Sequence, residues 1–191
     1  VGKLFSGTEL KIADDGEILV RGENIMNGYW NDPEATNNTI IDGWVHTGDI
    51  GEFDSENYLK ITDRKKDIIV NAGGDNISPS RIEAKLDIEP EIAQSMLYGD
   101  YKNYLVAVIV PDKEQTLKWA EKNNKNVNIS EIVNDELFIK NIREVVSRVN
   151  KNLSVIEQVK KFILIDHEFT IENNMMTPSM KVRRFKVKEI Y

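Results

Sequence analysis

Apolar and polar residues alternate in short runs along the first third of the chain. Residues 9–12 and 17–21 carry the pattern on either side of Asp14-Asp15-Gly16, whose small residues suit a hairpin. Residues 44–46, 50–53 and 58–61 repeat it, which predicts further strands of a small antiparallel meander or barrel. Between the first two of these, Thr47-Gly48-Asp49 interrupts the apolar run and predicts a polar turn. Asp32 followed by Pro33 marks the start of a helix, the aspartate placed to cap it and the proline at its first position.

After a charged knot, Asp63-Arg64-Lys65-Lys66-Asp67, the period changes. Residues 67–71 predict a strand, 72–76 a glycine turn, and Ser78-Pro79 the cap and first residue of a second helix. Strands are expected over 92–98 and 104–110, then a helix over about 113–122. Phe138, Ile142, Val145, Val149 and Leu153 recur every three or four residues, the stripe of a longer amphipathic helix. Residues 162–165 look like a strand, and a polar loop over 173–178 leads to a basic tail. The fold class expected is α+β: a small β-rich subdomain over 1–63, then a compact α+β domain over 64–191.

Composition narrows the chemistry. Over 191 residues, 40% are hydrophobic and 30% charged, as in a globular protein rather than a disordered one. There is no cysteine, so disulfides and thiolate metal sites are excluded and a reducing compartment is expected. The two histidines, His46 and His167, stand far apart without carboxylates at ligand spacing, so no protein-bound metal is expected. A net charge of −7 argues against a nucleic-acid binder. Positive charge gathers only at the end, in Lys181, Arg183, Arg184, Lys186 and Lys188. No apolar run is long enough to span a membrane. The chain opens on Val1 rather than Met, which suggests a piece of a longer protein.

Taken singly, the candidate chemical residues have ordinary explanations. A Gly-Asp pair between strands is usually a turn, Arg64 a solvated charge, Gly73-Gly74 a loop, and Lys181 one base among five. A carboxylate fixed in a tight turn can also accept the hydroxyls of a ribose. Only in combination do these residues say more.

The segments GEILVRGENIMNGYWNDPEAT, GWVHTGDIG, ITDRKKDIIVNAGGDNISPSRIEAKL and MMTPSMKVRR occur in this order. In that order they resemble the closing motifs of the AMP-forming acyl-CoA synthetases. That superfamily also contains firefly luciferase and the adenylation domains of peptide synthetases, and the pattern is most like the long-chain fatty acid–CoA ligases. The resemblance covers nearly the whole chain and is weakest between about residues 88 and 162. It implies that Asp49 binds the ribose hydroxyls of ATP and AMP, that Arg64 also reaches the ribose, and that Lys66 is the hinge of a mobile C-terminal lid. Gly73 and Gly74 would line the pantetheine tunnel for coenzyme A. Lys181 would stabilise charge as the substrate carboxylate attacks the α-phosphate. Mg²⁺ would arrive with ATP, and the remainder of the N-terminal adenylation domain would be the lid's partner.

Two departures stand out. The last motif often reads Ser-Gly-Lys but here is Ser179-Met180-Lys181, which leaves Lys186 as a rival for the lysine's role. Asp75 stands where Glu is commoner. The phosphate loop, the acyl pocket and the Tyr-Gly-x-Thr-Glu motif of the family are absent, so these residues alone are expected to be inactive. The intact enzyme is expected to be cytoplasmic, any membrane contact being peripheral. The alternatives are an aryl- or amino-acid-activating ligase, or a non-catalytic stand-alone module.

Overall fold

The alternating stretches of the first third form a five-stranded antiparallel sheet. Its strands are β1 (Thr8–Ile12), β2 (Glu17–Gly22), β3 (Ile40–Ile41), β4 (Trp44–Phe53) and β5 (Leu59–Arg64). This is a computed structural model that describes all 191 residues. Helix α1 (Pro33–Thr39) starts as expected, the Asp32 side chain accepting from the Ala35 N–H at 2.9 Å. The sheet is open rather than a barrel, because β1 pairs with β2 alone.

β4 organises this unit. One of its edges pairs with β2; the other pairs with β3 near Trp44 and with β5 from Asp49 onward. The expected turn at Thr47-Gly48-Asp49 is not a turn between two strands but a bulge inside this single ten-residue strand. Glu17 faces Ile50 while Leu19 faces His46, so β4 carries two extra residues there. Side chains replace the lost ladder bonds, and Gly48 takes the left-handed conformation (φ 70°) that lets the strand resume its direction.

The chain divides into two compact units, Val1–Ile68 and Ile69–Tyr191. At the end of the first, residues 65–67 form a 3-10 turn instead of entering a strand. Only Ile69–Val70 (β6) is extended, paired with Asn76–Ile77 (β7) across the glycine turn. The second unit continues with α2 (Pro79–Asp87), β8 (Ile92–Tyr98), β9 (Leu105–Pro111), α3 (Lys113–Lys122), α4 (Ile129–Ile132), α5 (Glu136–Asn150) and β10 (Val159–Leu164). β10 starts three residues earlier than its apolar pattern indicates, because Lys160 and Lys161 are exposed edge positions. The basic tail is partly helical, as α6 (Arg184–Ile190).

In this unit β9 is central, antiparallel to β8 and parallel to β10. Its near-continuous burial follows from having both faces covered. Leu105, Ala107 and Ile109 point toward Ile82 and Leu86 of α2 and Phe138, Ile142 and Val149 of α5. Val108 and Val110 point the other way, into a second cluster with Ile165, Phe169, Met175, Met176 and Val187. Each such large side chain contributes about 1.5–3 kcal/mol on burial. The second cluster anchors the segment that leads to Lys181. The mixture of sheets and helices is the α+β class expected.

Candidate functional site

The candidate residues fall on the β4–β5 pair, the 3-10 turn after it, the β6–β7 turn and the loop before α6. Asp49 on β4 and Arg64 at the end of β5 are direct cross-strand partners. Arg64 Nε lies 2.8 Å from Asp49 Oδ1, with the arginine side chain about half exposed and the aspartate 23% exposed. An antiparallel register thus brings one carboxylate and one guanidinium together from two sequence motifs. That contact engages one oxygen of Asp49 and the Nε of Arg64.

Behind the bulge lies a residue that sequence reasoning missed. Glu17 is 3% exposed. Its Oε1 accepts the Gly48 N–H at 2.9 Å, and its Oε2 accepts from Lys65 Nζ and contacts His46 Nδ1, each at 2.9 Å. Thr47 completes the bulge, its hydroxyl donating to the Ile18 carbonyl at 2.8 Å and accepting the Asp49 N–H at 3.1 Å. Lys65 also reaches Asp15 Oδ2 at 2.7 Å. Burial by itself would raise the Glu17 carboxyl, but Lys65, His46 and the Gly48 N–H together hold it below its ordinary value. Hydrogen bonds to Asp15 and then Glu17 push the Lys65 ammonium up, and Lys65 in turn holds Asp15 down. The signal available in the sequence was a charged residue directly before the apolar run Ile18-Leu19-Val20. Lys66 lies exposed in the 3-10 turn that follows.

In the second unit, Gly73 and Gly74 form the β6–β7 turn. Asn71 shapes it: its Oδ1 accepts the Gly73 and Asp75 N–H groups at 2.8 and 2.9 Å, and its Nδ2 donates to Asp75 Oδ2 at 2.9 Å. Asp75 therefore braces the turn. Gly74 is left-handed (φ 85°), and the space where a Cβ would project is open, so the turn presents bare backbone. The Ala72 N–H donates to the Lys102 carbonyl at 3.0 Å, which ties the turn to the β8–β9 loop.

Lys181 sits on a short hairpin closed by pairing of Met176 with Val182. The Thr177 N–H donates to the Lys181 carbonyl at 2.8 Å, the Met180 N–H to the Thr177 carbonyl at 2.9 Å, and the Lys181 N–H to Thr177 Oγ1 at 3.1 Å. Met180 has φ 60°, a left-handed conformation that accounts for the Gly common at this place in the motif. The other bases are engaged differently. Arg184 makes a two-pronged pair with Glu83, Nη1–Oε1 and Nη2–Oε2 both at 2.5 Å. Glu83 in turn accepts the Leu97 N–H at 2.7 Å, so Arg184 pins α6 to α2 and β8. Lys186 pairs with Glu189 at 2.7 Å, and Lys188 lies over the Tyr98 ring at 4.4 Å. Lys181 is exposed at its loop tip.

Comparison with known proteins agrees with the motif order. A family model described as the AMP-binding enzyme C-terminal domain matches residues 66–191. The long-chain-fatty-acid–CoA ligase FadD15 of Mycobacterium tuberculosis is 40% identical over 191 residues, covering 99% of this chain and 32% of that one. The chain thus spans about a third of the length of this curated relative. Among solved structures, the adenylation domain of a carboxylate reductase from Mycobacterium chelonae superposes with a TM-score of 0.78 at 24% identity, over 96% of this chain and 29% of that one. O-succinylbenzoate coenzyme A synthetase from Bacillus subtilis, in complex with AMP, gives 0.65 at 27% identity, over 98% and 34%.

Proposed function

The chain belongs to the AMP-binding enzyme C-terminal domain family, and on that premise we propose that it is the C-terminal part of an ATP-dependent, AMP-forming long-chain fatty acid–CoA ligase. The observation that carries this reading is the 40% identity to such a ligase along essentially the whole chain. In the intact enzyme a fatty acid carboxylate attacks the α-phosphate of ATP. An acyl–oxygen–phosphorus linkage forms and pyrophosphate leaves. The coenzyme A thiolate then attacks the acyl carbon, a carbon–sulfur bond forms, and AMP departs.

The residues of this chain take up roles around those two steps. Asp49 accepts hydrogen bonds from the ribose hydroxyls, while Arg64 holds that carboxylate in place and reaches the same sugar. Their cross-strand register supports this, since it places both charges at one point before any ligand arrives. Lys66 is the hinge: an exposed residue in a single 3-10 turn can change its backbone angles without opening a core. The bare backbone at Gly73 and Gly74 gives a narrow pantetheine arm a close edge to lie against. Lys181 supplies a movable positive charge to the α-phosphate as its coordination expands.

No group of three or more His, Cys, Asp or Glu side chains is placed to hold a metal ion. An all-protein cage is thus not built by these residues, and we assign Mg²⁺ mainly to the nucleotide phosphates. The phosphate loop and the acyl pocket belong, in this reading, to the remaining N-terminal adenylation domain.

The test is Lys181→Ala in the full-length enzyme, with both half-reactions measured separately. Loss of a charge used only in the adenylation transition state should cost roughly a hundredfold or more in ATP–pyrophosphate exchange. Thioester formation from supplied acyl-AMP should be largely spared. Near-normal adenylation in that variant, with a collapse in Lys186→Ala, would transfer the role to Lys186.

A further inference from the structure

We propose that Glu17 is the positioning residue of the ribose site, setting the Asp49–Arg64 pair through one buried carboxylate that grips both of the segments carrying it. The inference rests on the nucleotide reading of Asp49 and Arg64 given above.

Glu17 is almost wholly buried, and both of its carboxylate oxygens are taken up by protein partners. What it touches is the scaffolding on either side of the pair. Through Oε1 it holds the N–H of Gly48, the residue before Asp49. Through Oε2 it holds the ammonium of Lys65, the residue after Arg64. The same oxygen meets His46, at the entrance of the bulge. Asp15 takes the outer side of Lys65, so that base sits between two carboxylates at 2.7 and 2.9 Å.

This arrangement is needed because the bulge removes the regular ladder where Asp49 must be placed. Between the Leu19–His46 and Glu17–Ile50 partners, β4 runs without matched residues on β2. A bulged segment without substitute bonds is free to re-aim its side chains. Glu17 supplies a substitute with an ionic component on one side and a backbone bond on the other. A buried charge is tolerated only when it is well paired, and here three donors converge on one group. A glutamine would keep the shape. It could still accept from Gly48, but its amide nitrogen would face Lys65 or His46 where an acceptor is required.

The experiment is steady-state kinetics and AMP affinity in the full-length enzyme for Glu17→Gln, Lys65→Met and Asp49→Ala. Thermal midpoints are taken alongside. Glu17→Gln should raise KM for ATP and Kd for AMP by about tenfold, the scale of one charge-assisted hydrogen bond. KM for the fatty acid should stay within about twofold of wild type. Lys65→Met, at a half-exposed side chain, should shift the same two constants in the same direction by a smaller factor. Unchanged nucleotide constants in a folded Glu17→Gln variant would overturn the proposal. So would a uniform loss of all activities that merely follows a fall in melting temperature. If Glu17→Gln does not fold, Lys65→Met decides, and wild-type nucleotide constants there would overturn it. Asp49→Ala separates the two layers: if it leaves ATP affinity intact, the ribose assignment itself fails. A collapse in Asp49→Ala without any effect of Glu17→Gln defeats only the positioning role.

Discussion

Position 180 shows how a single backbone angle explains a departure from a motif. Met180 is held left-handed, at φ 60°, and its side chain is 66% exposed at the tip of the Lys181 loop. A side chain in that conformation costs roughly 1–2 kcal/mol, a cost glycine escapes. The exposed methionine recovers little of that by packing. Met180→Gly should therefore raise the stability of the second unit by up to about 1 kcal/mol, after glycine's greater unfolded-state entropy is offset. Chemical denaturation of the chain measures it. A clear loss of stability would mean that the methionine side chain holds the loop. Gly48 illustrates the converse, a left-handed position that glycine occupies, directly before Asp49.

Elements decide how those residues are carried. β4 presents Asp49 because it pairs with β2 on one edge and β5 on the other, and the bulge between sets where the aspartate points. β5 then runs directly into the 3-10 turn of Lys65–Asp67, closed by the Ile68 N–H donating to the Arg64 carbonyl at 3.1 Å. If Lys66 in that turn is the hinge, its backbone freedom matters more than its charge. Lys66→Pro in the full-length enzyme fixes φ and should trap one lid position. One of the two half-reactions should then fall selectively, by tenfold or more on the scale of a blocked conformational step. Normal rates in both would place the hinge elsewhere, with Lys65 or Asp67 next.

At the scale of the molecule the chain comprises two compact units, and both of its large buried clusters lie in the second. Asp49, Arg64 and Glu17 belong to the first; the glycine turn and Lys181 belong to the second. No helix is long and apolar enough to cross a membrane. The second unit buries both faces of its sheet, so its three-stranded core can hold the Lys181 hairpin through Met175, Met176 and Val187. The second unit's two buried clusters give it a core of its own. These 191 residues should give a cooperative thermal melt and yet no ATP–pyrophosphate exchange with palmitate. Exchange above background from the purified chain would overturn the division of parts proposed here.

The amino-acid order by itself determined the α+β class, most of the strands and helices, and the succession of motifs that leads to the family. Those are features of local periodicity and of short contiguous signatures, and they need no knowledge of distant partners. The charged knot was visible for the same reason. Tertiary structure alone decided that Thr47-Gly48-Asp49 is a bulge in one strand, since that depends on which residues of β2 lie opposite. It alone picked Glu17 out of a strand, because its partner Lys65 is 48 residues away. It separated Arg184 from the basic tail through Glu83, 101 residues distant, and so left Lys181 as the base displayed at a loop tip. A charge reads the same in sequence whether it is solvated or paired; only the fold brings its partner within reach.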